Sequence, residues 1–210
     1  MDAGTPDRMI RTGLPITTPG LRVGLLGGSF DPAHEGHALI TLRAMAALGL
    51  DRVWWLVSPG NPLKTRGPAE MSARIKAARA VMRHPRVDVT DIETRLGARF
   101  TADTLVRLKA AYPGVRFVWL MGADNLATFH HWDRWQSIAR TIPMAVIARP
   151  GAQVAAGLSP AARLFASARI APAQARALPF AAAPAWTLLT GRMLARSSTQ
   201  IRAAGHWPAP

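Results

Sequence analysis

His34 and His37 stand three residues apart at the end of an unusual run, Gly27-Gly28-Ser29-Phe30-Asp31-Pro32-Ala33-His34-Glu35-Gly36-His37. Side chains at i and i+3 share one face of a helical turn, so the two imidazoles can act on one bound group. The stretch Leu21–Leu26 before the run is apolar and strand-like, and Ala38–Leu48 after it is amphipathic and helical. Strand, glycine turn and helix start make an anion site: glycine lets backbone N–H groups approach closely, and a helix N-terminus carries partial positive charge. The run lacks the Gly-Lys-Ser/Thr of a Walker loop and the spacing of the dinucleotide fingerprint.

A second cluster lies near the other end of the chain. Arg196-Ser197-Ser198-Thr199-Gln200-Ile201-Arg202 places hydroxyls at a helix start, where they cap free N–H groups or donate to phosphate. Arg202 follows on the face of Ser198 and Thr199, with a fork of donors suited to phosphate. Between the two clusters, residues 58–66 form a proline- and glycine-marked loop carrying Lys64, and Gly122-Ala123-Asp124 ends an apolar strand with a carboxylate. Such a carboxylate can accept two ribose hydroxyls. Thr101 reads as an N-cap of a following helix, with Thr104 near its third position. Phe129-His130-His131-Trp132-Asp133-Arg134-Trp135 sets two histidines beside an acid, but adjacent side chains diverge and no third ligand is well spaced, so no metal site is expected.

These residues need elements to hold them. Strand signals fall at Leu21–Leu26, Arg52–Val57, Val87–Val89, Val115–Leu120, Pro143–Ala148 and Trp186–Leu189, and helical ones at Ala38–Leu48, Ala69–Met82, Ala102–Tyr112, Trp132–Ala139 and Thr199–Ala204. Their alternation implies βαβ units, hence an α/β, Rossmann-like, doubly wound parallel sheet with helices on both faces, in a single domain. Ligands bind beyond the carboxyl ends of such strands, and the motifs all fall at that edge. The segment Gly151–Pro184 is alanine-rich, lacks acidic residues and reads as helix fragments and loops without chemistry.

Composition narrows the classes. A chain of 210 residues, 49% hydrophobic, can bury one sizeable core. No run of 18 apolar residues occurs, so no transmembrane helix and no membrane partner is expected. The chain has no cysteine, which excludes disulfides and thiol chemistry and fits a cytoplasmic protein. The formal charge is +14, and only three of the 26 basic residues (64, 76 and 109) are lysine. The arginines are scattered and not interleaved with aromatics, a pattern that suits a compositional bias and anionic small substrates better than nucleic acid. Residues 1–20 hold Thr, Pro and Gly without periodicity and read as a disordered N-terminal extension, followed by a domain over 21–210. The sequence leaves open whether the chain forms a homo-oligomer.

The first run resembles the G-G-[ST]-F-D-P-x-H-x-G-H signature of the H-x-G-H nucleotidyltransferases, and 197–202 resembles their S-S-T-x-[IL]-R signature. Residues 58–66 are similar to the N-x-P-x-K segment, and 95–105 to R-x-G-x-[ST]-[YF]-T-x-D-T-L, of the nicotinate-nucleotide adenylyltransferases. Arg99 replaces the small hydroxyl residue usual there. The resemblance covers about residues 21–205. It implies a doubly wound fold and adenylyl transfer from ATP, with Mg2+ accompanying the ATP, to nicotinate mononucleotide, giving deamido-NAD and pyrophosphate. It implies that His34, His37, Lys64 and Arg202 serve the reaction. ATP would meet Gly27, Gly28, Ser29, Phe30, both histidines, Gly122, Asp124, Ser197, Ser198, Thr199 and Arg202. The acceptor would meet Ser29, Lys64, Thr101, Trp132 and Asp133, with its pyridine ring on Trp132. Relatives acting on nicotinamide mononucleotide or pantetheine phosphate share both outer motifs, and a basic nucleic-acid-binding protein is the alternative from another class.

Overall fold

Strands β1 (Arg22–Gly28) and β2 (Arg52–Val57) read RVGLLGG and RVWWLV. Near-continuous apolar runs of this kind are what a parallel strand covered on both faces requires. The computed structural model describes residues 14–60, 67–191, 197–205 and 207. It has one parallel sheet of six strands, completed by β3 (Val87–Thr90), β4 (Arg116–Gly122), β5 (Met144–Ile147) and β6 (Trp186–Leu189), in the order β3-β2-β1-β4-β5-β6. The strand order reverses between β1 and β4, and the crevice beyond their carboxyl ends is where such sheets bind ligands.

Side chains alternate across the sheet and build two cores. Trp54 and Leu56 point into one, with Leu105, Leu108, Leu126 and Ile138; Val53, Trp55 and Val57 point into the other, with Ile40, Leu48, Ala78 and Leu178. The second core lies under α1 (Glu35–Leu48), α2 (Met71–Val81) and the 3-10 stretch 172–180. The first lies under α4 (Thr101–Ala111), α5 (Ala123–Thr128) and α6 (Trp135–Thr141), after a single turn, α3 (Ile92–Arg95). Gly49, at φ 65°, ends α1 in the left-handed conformation that glycine adopts without strain.

All six expected strands are present, with ends shifted by one or two residues at most. Helix α6 begins at Trp135, not Trp132, because Phe129–His131 forms a separate 3-10 turn and Trp132 is extended. Helix α5 was not anticipated. The segment 151–184 holds α7 (Gln153–Gly157), α8 (Pro160–Leu164) and the 3-10 turns 166–168 and 172–180, as expected of helix fragments.

One expectation needs correction. Residues 14–20 are not a structureless extension. Leu14 packs on the first core, the Tyr112 hydroxyl donates to the Pro15 carbonyl at 2.9 Å, and the Gly20 N–H donates to the Gly114 carbonyl at 2.8 Å. The apolar anchor is one leucine, too little to register as periodicity. Removing residues 1–20 should therefore cost about 1–3 kcal/mol, the sum of two hydrogen bonds and a buried apolar contact. A thermal melt several degrees below that of the full chain is the expected result; superimposable melts would show these contacts to be idle.

Candidate active site

Between the end of β1 and the start of α1 the chain turns within six residues. Gly27 is the glycine that Trp119 demands: a Cβ there would lie 2.4 Å from the indole Cη2. Phe30 holds φ 46°, in the left-handed region that a bulky residue occupies only when packing over-determines it. Its ring supplies that packing, stacked on Trp55 at 4.9 Å and 12° and lying 4.8 Å from the His37 ring.

The two histidines cap α1 reciprocally. Nδ1 of His34 accepts the Gly36 N–H at 3.1 Å, and Nδ1 of His37 accepts the His34 N–H at 3.2 Å. Their ring centroids are 4.0 Å apart. An accepting Nδ1 places the ring hydrogen on Nε2, so both imidazoles present an N–H donor. Burial pushes the His37 pKa down to about 3, with the charges of His34 and Arg149 adding to the effect. His37 is thus a neutral donor throughout the physiological range, suited to hydrogen-bonding an anion.

The C-terminal motif meets this turn from the other side. In α9 (Ser198–Ala203) the Ser198 hydroxyl donates to the Pro32 carbonyl at 2.8 Å. The Arg202 guanidinium donates to the Asp31 carbonyl, donates to Thr199 Oγ1 at 3.2 Å, and lies 3.9 Å from the Asp31 carboxylate. Ser197 is spent on the helix itself, because its Oγ accepts the Gln200 N–H in a capping box. Asp31 was given no role from sequence. It is 8% exposed and accepts the Trp207 indole N–H at 2.6 Å and the Ala69 N–H at 3.3 Å.

Across the crevice, Gly122 leads from β4 into α5 and Asp124 follows. A Cβ on Gly122 would lie 2.3 Å from Asp124 Oδ1 and 2.9 Å from Arg149 Cδ. Arg149, just beyond β5, donates to Asp124 Oδ2 at 2.9 Å. It too was missed from sequence, although a basic residue at the carboxyl end of a parallel strand is a usable signal.

The proposed acceptor residues are gathered more loosely. Thr101 is not the N-cap: α4 begins on it, and Phe100, extended and without a side-chain cap, precedes it. Thr104 is buried, its hydroxyl donating to Glu93 Oε1 at 3.0 Å and to the Phe100 carbonyl at 3.2 Å. Burial pushes the Glu93 carboxyl up to about 7 against the opposing hydrogen bond from Thr104. Trp132 is half-buried, edge-on to Trp119 at 6.3 Å and to Phe129 at 5.4 Å. Asp133 is exposed and accepts from Arg134 at 2.8 Å; Arg134 also pairs with Asp103 at 2.8 Å, joining this segment to α4. Lys64 lies outside the described residues. Among the described residues no group of three or more His, Cys, Asp or Glu is placed to hold a metal, and His130 and His131 lie with ring centroids 3.9 Å apart.

Comparisons with known proteins span nearly the whole described fold. The sequence profile described as cytidylyltransferase-like matches residues 25–204. A probable nicotinate-nucleotide adenylyltransferase of Cereibacter sphaeroides is 63% identical over 88% of this chain and 98% of its own length. One of the same description from Roseobacter denitrificans is 57% identical over 94% and 100%. The chain belongs to the nicotinate-nucleotide adenylyltransferase family. Among solved structures, the Plasmodium falciparum nicotinic acid mononucleotide adenylyltransferase complexed with NaAD is 16% identical, with a TM-score of 0.66 over 87% of this chain and 83% of that one. At that identity the likeness speaks for the fold alone, a doubly wound sheet that the two share. In this family member, as in its sheet, the glycine turn and the C-terminal motif converge at the switch point.

Two outcomes follow from the shifts at His37 and Glu93. Nitrogen NMR of His37 should report the Nε2–H tautomer with no protonation from pH 8 down to pH 5; a titration near the ordinary histidine value would exclude a buried neutral ring. For Glu93, a folded pKa raised from 4.5 to about 7 means that the native state holds the proton through this window. Stability from this group is then present below the unfolded value and lost as pH rises through 7. Glu93→Gln should melt progressively higher relative to the unmutated chain as pH goes from 5 to 8. An offset independent of pH would remove Glu93 from the titration.

Proposed function

We infer that the chain transfers the adenylyl group of ATP to nicotinate mononucleotide, giving deamido-NAD and pyrophosphate, as a step of NAD biosynthesis. The observation that carries this is the convergence of the two outer motifs on one turn, Ser198 to Pro32 and Arg202 to Asp31, in a chain of this family. Balance of the step is simple. A phosphate oxygen of the acceptor attacks the α-phosphorus, a P–O bond forms, and the bond to the bridging oxygen breaks with its electron pair leaving on pyrophosphate. The nucleophile is already anionic, so no strong base is needed, and positioning with charge stabilisation carries the rate. His37, held neutral by burial and carrying its hydrogen on Nε2, suits that work better than acid–base catalysis, and His34 adds a second ring N–H beside it.

In this reading the N–H groups of Gly28–Phe30, with both histidines, hold the α- and β-phosphates. Ser198, Thr199, Arg202 and Lys64 attend the triphosphate, Asp124 takes the ribose hydroxyls, and Gly122 leaves the base room beside the backbone. Ser197 contributes by capping α9. ATP enters as its magnesium complex, the ion carried by phosphates and water. The uncapped start of α4 at Thr101 offers N–H groups to the nicotinate carboxylate, Trp132 offers its ring to the pyridine, and Asp133 orients Arg134. No helix of the described residues is long and apolar enough to cross a membrane, and a cytoplasmic setting is part of this reading because both substrates are small soluble nucleotides.

Pyrophosphate release with ATP and a panel of acceptors tests the assignment. Nicotinate mononucleotide should exceed the nicotinamide form by about one to two decades in kcat/KM, because an amide leaves polar groups unpaired at roughly 1–3 kcal/mol. His37→Ala should lower kcat by about 10²-fold or more, the usual result of losing one charge-stabilising donor. Equal use of both mononucleotides would refute the nicotinate assignment, and a fully active His37→Ala would remove this ring from the mechanism.

A further inference from the structure

Arg74, on α2, is the buried arginine of the described core, 2% exposed. Its partners are three backbone carbonyls. Nε donates to Ala69 at 2.6 Å, and one nitrogen, Nη1, donates to both Ser29 at 2.7 Å and Ser58 at 2.8 Å. Ser29 lies in the turn after β1 and Ser58 in the loop after β2. The same loop is tied back once more, by the Ser58 N–H on the Gly28 carbonyl at 2.9 Å. Desolvating a guanidinium is costly, and here no carboxylate among its hydrogen-bond partners repays it. The nearby charge of Asp31 favours the cation without touching it.

We propose that Arg74 is a positioning residue: it fixes the spacing between the phosphate-holding turn at Ser29 and the acceptor-side loop at Ser58, and so the approach of nucleophile to α-phosphorus. It touches neither substrate. It works by pinning the carbonyls of both turns to one nitrogen, Nη1, so that neither turn can shift without the other. An alignment device of this kind affects the chemical step more than the binding of either substrate, since a displacement of about 1 Å can cost 10²-fold in rate. A lysine cannot replace it, because an ammonium on a flexible stem lacks the rigid fork that reaches Ala69 as well as both turns.

The kinetic half of the test rests on the adenylyl-transfer reading, and the exchange half does not. Arg74→Lys and Arg74→Gln are made in the full chain, and kcat is expressed per folded molecule. Arg74→Lys should lose at least tenfold in kcat while KM for ATP and for nicotinate mononucleotide each stay within about threefold, the signature of an interaction used only in the transition state. Hydrogen exchange should quicken at the amides of 28–30 and 58–60 in both variants, and not in α4 or α6. An unchanged kcat with unchanged exchange would overturn the proposal. So would a loss of activity that merely follows the folded fraction, or failure of both variants to fold, since Arg74 would then be a core residue only. If the unmutated chain released no pyrophosphate with these substrates, the functional reading would fall, and local exchange alone would decide the role of Arg74.

Discussion

The turn from Ser29 to Pro32 leaves three carbonyls that no strand or helix can use, and the rest of the site hangs on how they are satisfied. Buried backbone oxygens without partners are costly, so each must find a donor. Arg74, 45 residues away, takes Ser29; Arg202, 171 residues away, takes Asp31; Ser198, 166 residues away, takes Pro32. Closing such long loops has an entropy cost that rises only slowly with length, so remote donors serve as well as near ones. Three distant segments are thereby drawn to one point beyond β1. The strained φ of Phe30 persists for the same reason: its ring is locked on Trp55 and its neighbours are tied from outside.

This arrangement also divides the electrostatic work. The histidines use their Nδ1 atoms to cap α1, and burial keeps the His37 ring neutral, so that ring contributes a directed N–H group and no charge. Positive charge comes from arginines placed around them: Arg149 from just beyond β5, Arg202 from α9 and Arg74 from beneath. Arginine suits these places because it keeps its charge when buried, where a lysine can lose its own. The high arginine content, which reads from sequence as a compositional bias, thus includes a few guanidiniums with specific partners around the histidine turn.

How much of this was legible in the sequence depended on range. The strands were readable because a sheet covered on both faces imposes long apolar runs, and the outer motifs because glycine, proline and histidine at fixed spacing leave few other readings. Helix α5 escaped notice because Gly122-Ala123-Asp124 looks like a strand end and a turn, and the helix is only six residues long, two of them in that motif. The cap at Thr101 was misplaced by one residue: the buried Thr104 hydroxyl turns to Glu93 and the Phe100 carbonyl, so the helix starts one residue earlier without a side-chain cap. Arg74, Arg149 and Trp207 had no local signal. Their partners lie in other loops, and nothing in the periodicity of α2 or β5 distinguishes an arginine that turns inward from one that stays in solvent.

The pairing of Asp124 with Arg149 is a case where weakness is the useful property. Both side chains remain partly exposed, at 47% and 21%, and an ion pair so placed is worth only about 0–1 kcal/mol. A buried pair would lock the carboxylate, and a ligand hydroxyl would have to displace it against several times that energy. A free carboxylate on a short helix would sample rotamers and pay to be ordered on binding. The half-exposed pair lies between these limits. It holds Asp124 over Gly122, where a Cβ would clash, and leaves its oxygens open to exchange one partner for another at little net cost. The charge of Arg149 also bears on His37, so this one guanidinium links the carboxylate after β4 to the histidine turn after β1.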